Sequence, residues 1–185
     1  VLCGINLGLP AINARYQYTR KDLMVEQLHS VSDNDGYRPN VGIVLFNSTG
    51  QVLWARRSRH DGWQFPQGGV DDNENLEKAM YRELLEEVGL RKDDVQYIGE
   101  SDDTIIYDIP KTIRSKVLGG KFKGQEQKWF LLRIKNDDHE IRLDYEAFPE
   151  FDTFEWVSFW QPIDRIVDFK REAYRKALSE LRFLI

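Results

Sequence analysis

Residues 68–90 read GGVDDNENLEKAMYRELLEEVGL, which sets Glu83, Glu86 and Glu87 close together behind a glycine-rich turn. The middle of the stretch has helical spacing. With Leu84 at zero and about 100° per residue, Leu76, Met80 and Val88 stay within about 80° of it, an apolar stripe that predicts one buried face. Glu83 and Glu87 flank the stripe and Glu86 lies further round, so the three carboxylates form an arc at its edge. Like charges three or four residues apart cost a helix roughly 0.2–0.5 kcal/mol per pair. A cation shared by the arc would offset that cost. Asn75 is the expected N-cap, and Gly89 the left-handed residue that closes the last turn, with Leu90 folding back.

On spacing alone such an arc reads as a solvated acidic face, the ordinary meaning of a Glu-rich helix. The complete string points elsewhere: Gly68, five residues, Glu74, seven residues, then RELLEEVGL at 82–90. It resembles, without gap or substitution, the Nudix box of the Nudix hydrolase superfamily, and a match at so many fixed positions is specific. The resemblance implies a loop–helix–loop that binds divalent metal and hydrolyses a diphosphate linked to another group, carried on an α/β fold, the alpha/beta/alpha sandwich with a mixed sheet. The box names the reaction and leaves the substrate open.

Composition fits one enzyme domain. At 185 residues and 41% hydrophobic the chain can bury one substantial core. The net charge of −5 argues against nonspecific coating of nucleic acid and leaves room for a local basic cleft. A single Cys3 allows no internal disulfide, and His29, His60 and His139 show no ligand spacing. A cytoplasmic, monomeric protein is expected. No apolar run reaches the roughly 18 residues of a membrane span.

Residues 1–31 show neither alternation nor a helical stripe and read as a peripheral leader, disordered or a start-site artefact. The chain opens on Val, with Met24 shortly before the hydrolase domain expected at 32–185. A strand is expected at 41–46, a turn at 47–50 and a second strand through Arg57, making a hairpin, with further strands at 95–100, 127–134 and 154–159. A short extended piece at 63–66 leads into the glycine turn, and 108–123 reads as a loop. Pro162 opens a turn, and Asp168 is the expected cap of a last helix with Tyr174, Ala177, Leu178 and Leu181 at helical spacing. Trp54, Trp129, Trp156 and Trp160, in or beside strands, read as core.

Six further segments narrow the resemblance: DGYRPNVG at 35–42, WARR at 54–57, WQFPQGG at 63–69, QKWF at 127–130, PEF at 149–151 and FKR at 169–171. Together, over about 33–178, they look like the bacterial RNA pyrophosphohydrolase branch, whose members also act on dinucleoside polyphosphates. That branch removes pyrophosphate from the 5′ end of messenger RNA and promotes its decay. The resemblance implies 5′-triphosphorylated or diphosphorylated RNA as substrate, with diadenosine tetraphosphate-type hydrolysis as the alternative and an inactive RNA- or nucleotide-binding regulator as a third reading. It also implies a further catalytic or metal-binding carboxylate at Glu150 and phosphate contacts at Tyr107 and Gln125. The segment 114–123 departs from the family pattern, which bears on substrate preference.

The residue types suit a triphosphate end. Dense negative charge calls for cations around the acidic site, and Arg38, Arg56, Arg57, Lys128 and Lys170 are the candidates, each alone no more telling than a solubilising surface charge. Phe169 beside Lys170 fits either a base-stacking platform or a packed inter-helix turn, and the resemblance implies the first. Magnesium, or manganese in its place, is the expected cofactor, since it takes one or two carboxylates and fills its octahedron with water and phosphate oxygens. Glu86 and Glu87 are the expected ligands. Glu83 either binds metal or takes the proton of the attacking water, with Arg82 orienting it, and the general base stays open. Glu74 reads as support for the loop, and Gly68 and Gly69 let the backbone pass close to the metal.

Overall fold

The computed structural model describes residues 36–59, 62–116, 118–138 and 140–185. The expected leader at 1–31 and the three histidines lie outside them.

The frame is set by two long strands, β1 (Tyr37–Phe46) and β7 (Gly124–Ile134), which run parallel in unbroken register from Tyr37↔Gly124 to Phe46↔Arg133. A parallel pair is stable only when both faces are covered. Accordingly the apolar run of β1 is buried continuously rather than alternately. Val41, Ile43 and Leu45 of β1, with Phe130, Leu132 and Ile134 of β7, face one layer, which contains Met80, Leu84 and Val88 of helix α1 (Leu76–Val88). Val44, Trp129 and Leu131 face the other, with Tyr174, Ala177, Leu178 and Leu181 of α4 (Arg171–Arg182). Each fully buried Leu- or Val-sized side chain contributes about 1.5–3 kcal/mol. The result is the expected mixed sheet between helices.

Around the parallel pair every other pairing is antiparallel. β2 (Val52–Arg57) turns back from β1 and is flanked by β3 (Trp63–Gln64) and β8 (Phe151–Val157). β4 (Gln67–Gly69) pairs the start of β1, while β5 (Val95–Glu100) and β6 (Ile105–Asp108) pair β7. Trp54, Phe65, Trp129 and Tyr174 meet in one layer of the core, with Trp129 and Tyr174 edge to face at 4.9 Å.

Several expectations change. The 108–123 segment is not an unstructured loop: it carries α2 (Lys111–Arg114) and a 3₁₀ turn at Leu118–Gly120, and its base is closed by Ile109 N–H donating to Lys123 O at 2.8 Å. Asp168 does not cap the last helix. It lies in a 3₁₀ turn, Asp168–Lys170, and pairs with Arg171 at 2.6 Å, so Phe169 sits before the helix. The strand expected at 154–159 begins at Phe151, where β2 pairing begins, and stops at Val157. Trp54 and Trp129 are core, Trp156 is partly buried, but Trp160 is 45% exposed beside α3 (Gln161–Arg165).

Candidate active site

The acidic helix has both expected caps. Asn75 Oδ1 accepts from Lys78 N at 2.8 Å, and Gly89, at φ 72°, donates its N–H to Leu85 O. Its N-terminal loop is tied by one side chain. Arg82 donates to both oxygens of Glu74 (2.9 and 2.8 Å), to Gly69 O (2.7 Å), to Glu83 Oε1 (2.7 Å) and to Glu86 Oε2 (3.1 Å). Glu74 also accepts from Asp71 N, and the Arg82 contact holds its carboxyl below the usual range. Gly68 has no room for a side chain: a Cβ there would run into the Glu83 carboxylate, and one on Gly69 into the Arg38 guanidinium.

Glu83 and Glu87 are each only 8% exposed. Burial raises the pKa of Glu83, against the pull of Arg82. Burial, and then the charge of Glu83, lifts Glu87 well above the ordinary carboxylate value, although Glu87 Oε2 accepts from Gln67 N at 2.8 Å. Two buried carboxylates are hard oxygen donors, and their chemistry fits a divalent cation. Among the described residues no three His, Cys, Asp or Glu side chains already converge as a metal cluster. Glu86 leans on Arg82, and Glu150 accepts from Arg57 Nε at 2.9 Å.

Glu83, Glu87 and Glu150 open into a cleft of about 500 Å³, whose other walls include Arg38, Arg57, Tyr107, Gln125, Phe169 and Lys170. Tyr107 donates to Gln125, and burial raises its pKa. Lys170 Nζ lies 3.3 Å from Gln64 Oε1 and 3.5 Å from Gln67 Oε1, over the Tyr107 ring at 5.5 Å. The residue keeps some exposure, but burial of its ammonium end, then the charge of Arg57, brings its pKa down to about 7. The Phe169 ring tilts against Tyr107 at 6.0 Å and packs partly on the core, as a packed inter-helix turn would have it, while lining the cleft. A larger recess, about 760 Å³, has Ser58 and Pro149 among its walls and lacks the box acids.

Three candidates stand elsewhere. Lys128 is buried and donates to Ser101 O (2.5 Å) and Asp102 O (3.1 Å), because strand alternation puts Gln125 and Gln127 on the other side of β7. It pins a turn and does not line the cleft. Arg56 faces outward on Asp152 at 2.8 Å, since the register of β2 shifts between Arg56 and Arg57. Glu86 is at the edge, on Arg82, and not among the cleft walls.

Sequence reasoning gave no role to Asn40 and Gln67. Gln67 ties Glu87 through its N–H and Lys170 and Tyr174 through its side chain. Asn40, a cleft wall, accepts from the fully buried Gln127 at 2.5 Å. Their signal was an amide in or beside an otherwise apolar strand.

The NUDIX domain model matches residues 36–177. The chain belongs to the Nudix family. It is a Nudix hydrolase, and Nudix hydrolases generally use divalent cations. It is 50% identical over 149 residues to the RNA pyrophosphohydrolases of Pseudomonas aeruginosa (strain LESB58) and Ectopseudomonas mendocina (strain ymp), covering 80% of this chain and 94% of each relative. Solved Nudix folds agree. The E. coli dihydroneopterin triphosphate pyrophosphohydrolase superposes with a TM-score of 0.60 at 22% identity, covering 76% of this chain and 95% of that one. A C. elegans Ap4A hydrolase complex does so with 0.57 at 21%, covering 75% and 93%.

Proposed function

We propose that this Nudix hydrolase removes pyrophosphate from the 5′-triphosphate end of RNA, or phosphate from a 5′-diphosphate end, leaving the 5′-monophosphate that promotes messenger RNA decay. Residues 32–185 are taken as its domain and the cytoplasm as its place of action. The observation that carries the reading is the facing of two buried acids, Glu83 and Glu87, by Arg38, Arg57 and Lys170 across a cleft with an aromatic wall at Phe169. The 50% identity to proteins named RNA pyrophosphohydrolase supports it.

In this reading Arg38, Arg57 and Lys170 neutralise the triphosphate and hold it in line, the positioning that phosphoanhydride cleavage chiefly needs. Tyr107 and Gln125 add hydrogen bonds to phosphate oxygens. Glu83, Glu87 and Glu150 would hold a divalent cation, magnesium by their hard oxygens, with Glu86 at the edge, and such an ion would supply polarisation of the phosphates and a lower pKa of water. Arg82 fixes the direction of Glu83, which either holds the cation or receives the proton of the attacking water. Gln67 keeps Glu87 and Lys170 in mutual register. Phe169 stacks on a base.

The test is turnover of a triphosphorylated oligonucleotide beside diadenosine tetraphosphate and a mononucleoside triphosphate, for wild type and Phe169→Ala. RNA is expected to be the best substrate. The variant is expected to lose the equivalent of about 1–3 kcal/mol on RNA and little on the mononucleotide. Preference for the dinucleotide would favour the dinucleoside polyphosphate reading, and equal loss on all substrates would make Phe169 a packing residue.

A further inference from the structure

A cleft of about 500 Å³ has the size of a pocket for one drug-sized ligand, so it takes the end of a strand and the rest must leave across a rim. The rims differ in charge. Beside Ser58 and Pro149 the larger recess sets Glu140, Asp144 and Asp152 against Arg59 and Arg142, and Arg142 already pairs with Asp144 at 3.6 Å. The rim at Ile166 and Val167 is mixed, with Asp164 and Asp168 beside Arg165 and Arg171, and Asp168 already pairs with Arg171 at 2.6 Å. The third rim is the closed segment at 109–123. Ile109 and Ile113 line the cleft, and the segment carries Lys111, Arg114, Lys116, Lys121 and Lys123 with no acid, in a chain of net charge −5. Arg114 is held by Ile109 O at 3.0 Å, and Lys123 lies over the Tyr37 ring at 4.3 Å. Lys111, Lys116 and Lys121 are exposed.

We propose that Lys111, Lys116 and Lys121 form a track for the phosphates of the RNA body as it leaves the cleft past Ile109 and Ile113. This rests on the RNA reading of the cleft and adds to it a reason for preferring a strand over a free nucleotide. Lysine contacts to phosphate position the strand and read no sequence, so the track serves any unpaired 5′ segment. The same cations would do nothing for a substrate that ends inside the cleft.

The test uses Lys111→Gln/Lys116→Gln/Lys121→Gln, with Lys92→Gln/Lys135→Gln/Lys176→Gln as a control of equal charge change at exposed sites elsewhere. Substrates are a triphosphorylated dinucleotide and a triphosphorylated single strand of about ten nucleotides, followed from about 0.05 to 0.2 M salt. Three released counterions give a slope of log kcat/KM against log salt that is shallower by about 2 in the track variant, on the long strand only, a roughly 20-fold change in the ratio to wild type across that range. The dinucleotide and the control variant should show wild-type slopes, and thermal melts should coincide. Equal slopes for track variant and wild type on the long strand overturn the track while leaving the RNA reading intact. Failure of the wild type to cleave either RNA while it cleaves diadenosine tetraphosphate overturns both.

Discussion

Gly68→Ala puts a methyl group where the Glu83 carboxylate lies, and to regain ordinary contact that carboxylate must retreat by at least an ångström. Gly68 is not among the positive-φ glycines, so the backbone itself accepts alanine and the effect is steric. The displaced Glu83 gives up its 2.7 Å bond from Arg82, a charge-assisted contact worth about 1.5–3 kcal/mol. Part of this is returned, because a carboxylate leaving a buried site regains water. A net loss near 1 kcal/mol lowers the thermal midpoint by about 2–4 °C in a chain of this size. Activity should suffer far more, since a misplacement of about 1 Å costs roughly 100-fold. The loss should fall on kcat, with KM little changed, because Arg38, Arg57 and Lys170 keep their places. Steady-state pyrophosphate release from triphosphorylated RNA and calorimetric melts measure the two effects. Gly50→Ala is the control: at φ 78° with nothing within 4 Å it should lose stability by backbone strain and keep its activity. Adding Glu83→Ala removes the clash, so Gly68→Ala/Glu83→Ala should melt with Glu83→Ala alone. Wild-type kcat in Gly68→Ala would refute the claim that the glycine exists to seat Glu83.

Glu83→Gln and Glu87→Gln should each nearly abolish turnover in magnesium. Both carboxyls have raised pKa values, so the folded chain binds protons that the unfolded chain has released, and stability falls as pH climbs above about 4.5. In chelator the Gln variants should therefore melt at or above wild type near neutral pH and lose that advantage below about 4.5; near wild-type rates in both would sink the metal assignment. Lys170→Met should also stabilise, for the opposite titration. With a folded pKa of about 7 against 10.5, the wild type bears the cost of its ammonium fully below about pH 7 and sheds it as pH rises towards 10.5, so the melting difference should shrink over that window. Wild-type kcat/KM on triphosphate ends should decline as pH passes 7, a limb the variant lacks; identical pH profiles would contradict this. Lys128→Met orphans two carbonyls and should cost about 1–3 kcal/mol of stability with kcat/KM unchanged. A loss of activity at unchanged stability would mean that Lys128 meets substrate after all.

The acidic helix was legible to the residue, both caps included, because its stripe and its caps are local properties of 75–90. β2 and β5 also fell where alternation and β-branched residues placed them. β6 and α2 escaped because each is four residues long and β6 exists through pairing with a distant strand, Ile105 with Gln127. The same distance dependence sorts the cations. Nothing local tells that Arg57 turns inward and Arg56 outward, since a bulge decides it, or that Lys128 closes a turn from 27 residues away. Gln67 and Asn40 belong to this class, their partners lying 103 and 87 residues off.

The parallel pairing of β1 with β7 also sets a timetable. Arg38 is the register partner of Gln125 and Asn40 that of Gln127, a separation of 87 residues in the chain. At roughly 5–20 residues per second a ribosome needs several seconds to cross that interval. From residue 87 until residue 124 the nascent polypeptide owns every acid of the helix but lacks the wall that β7 supplies. A product truncated before residue 124 would carry those acids into the cell as bare charge, with no pocket around them. Hydrolysis thus waits beyond the docking of β7 until Glu150, Phe169 and Lys170 complete the walls, and does not grow with the length of chain synthesised.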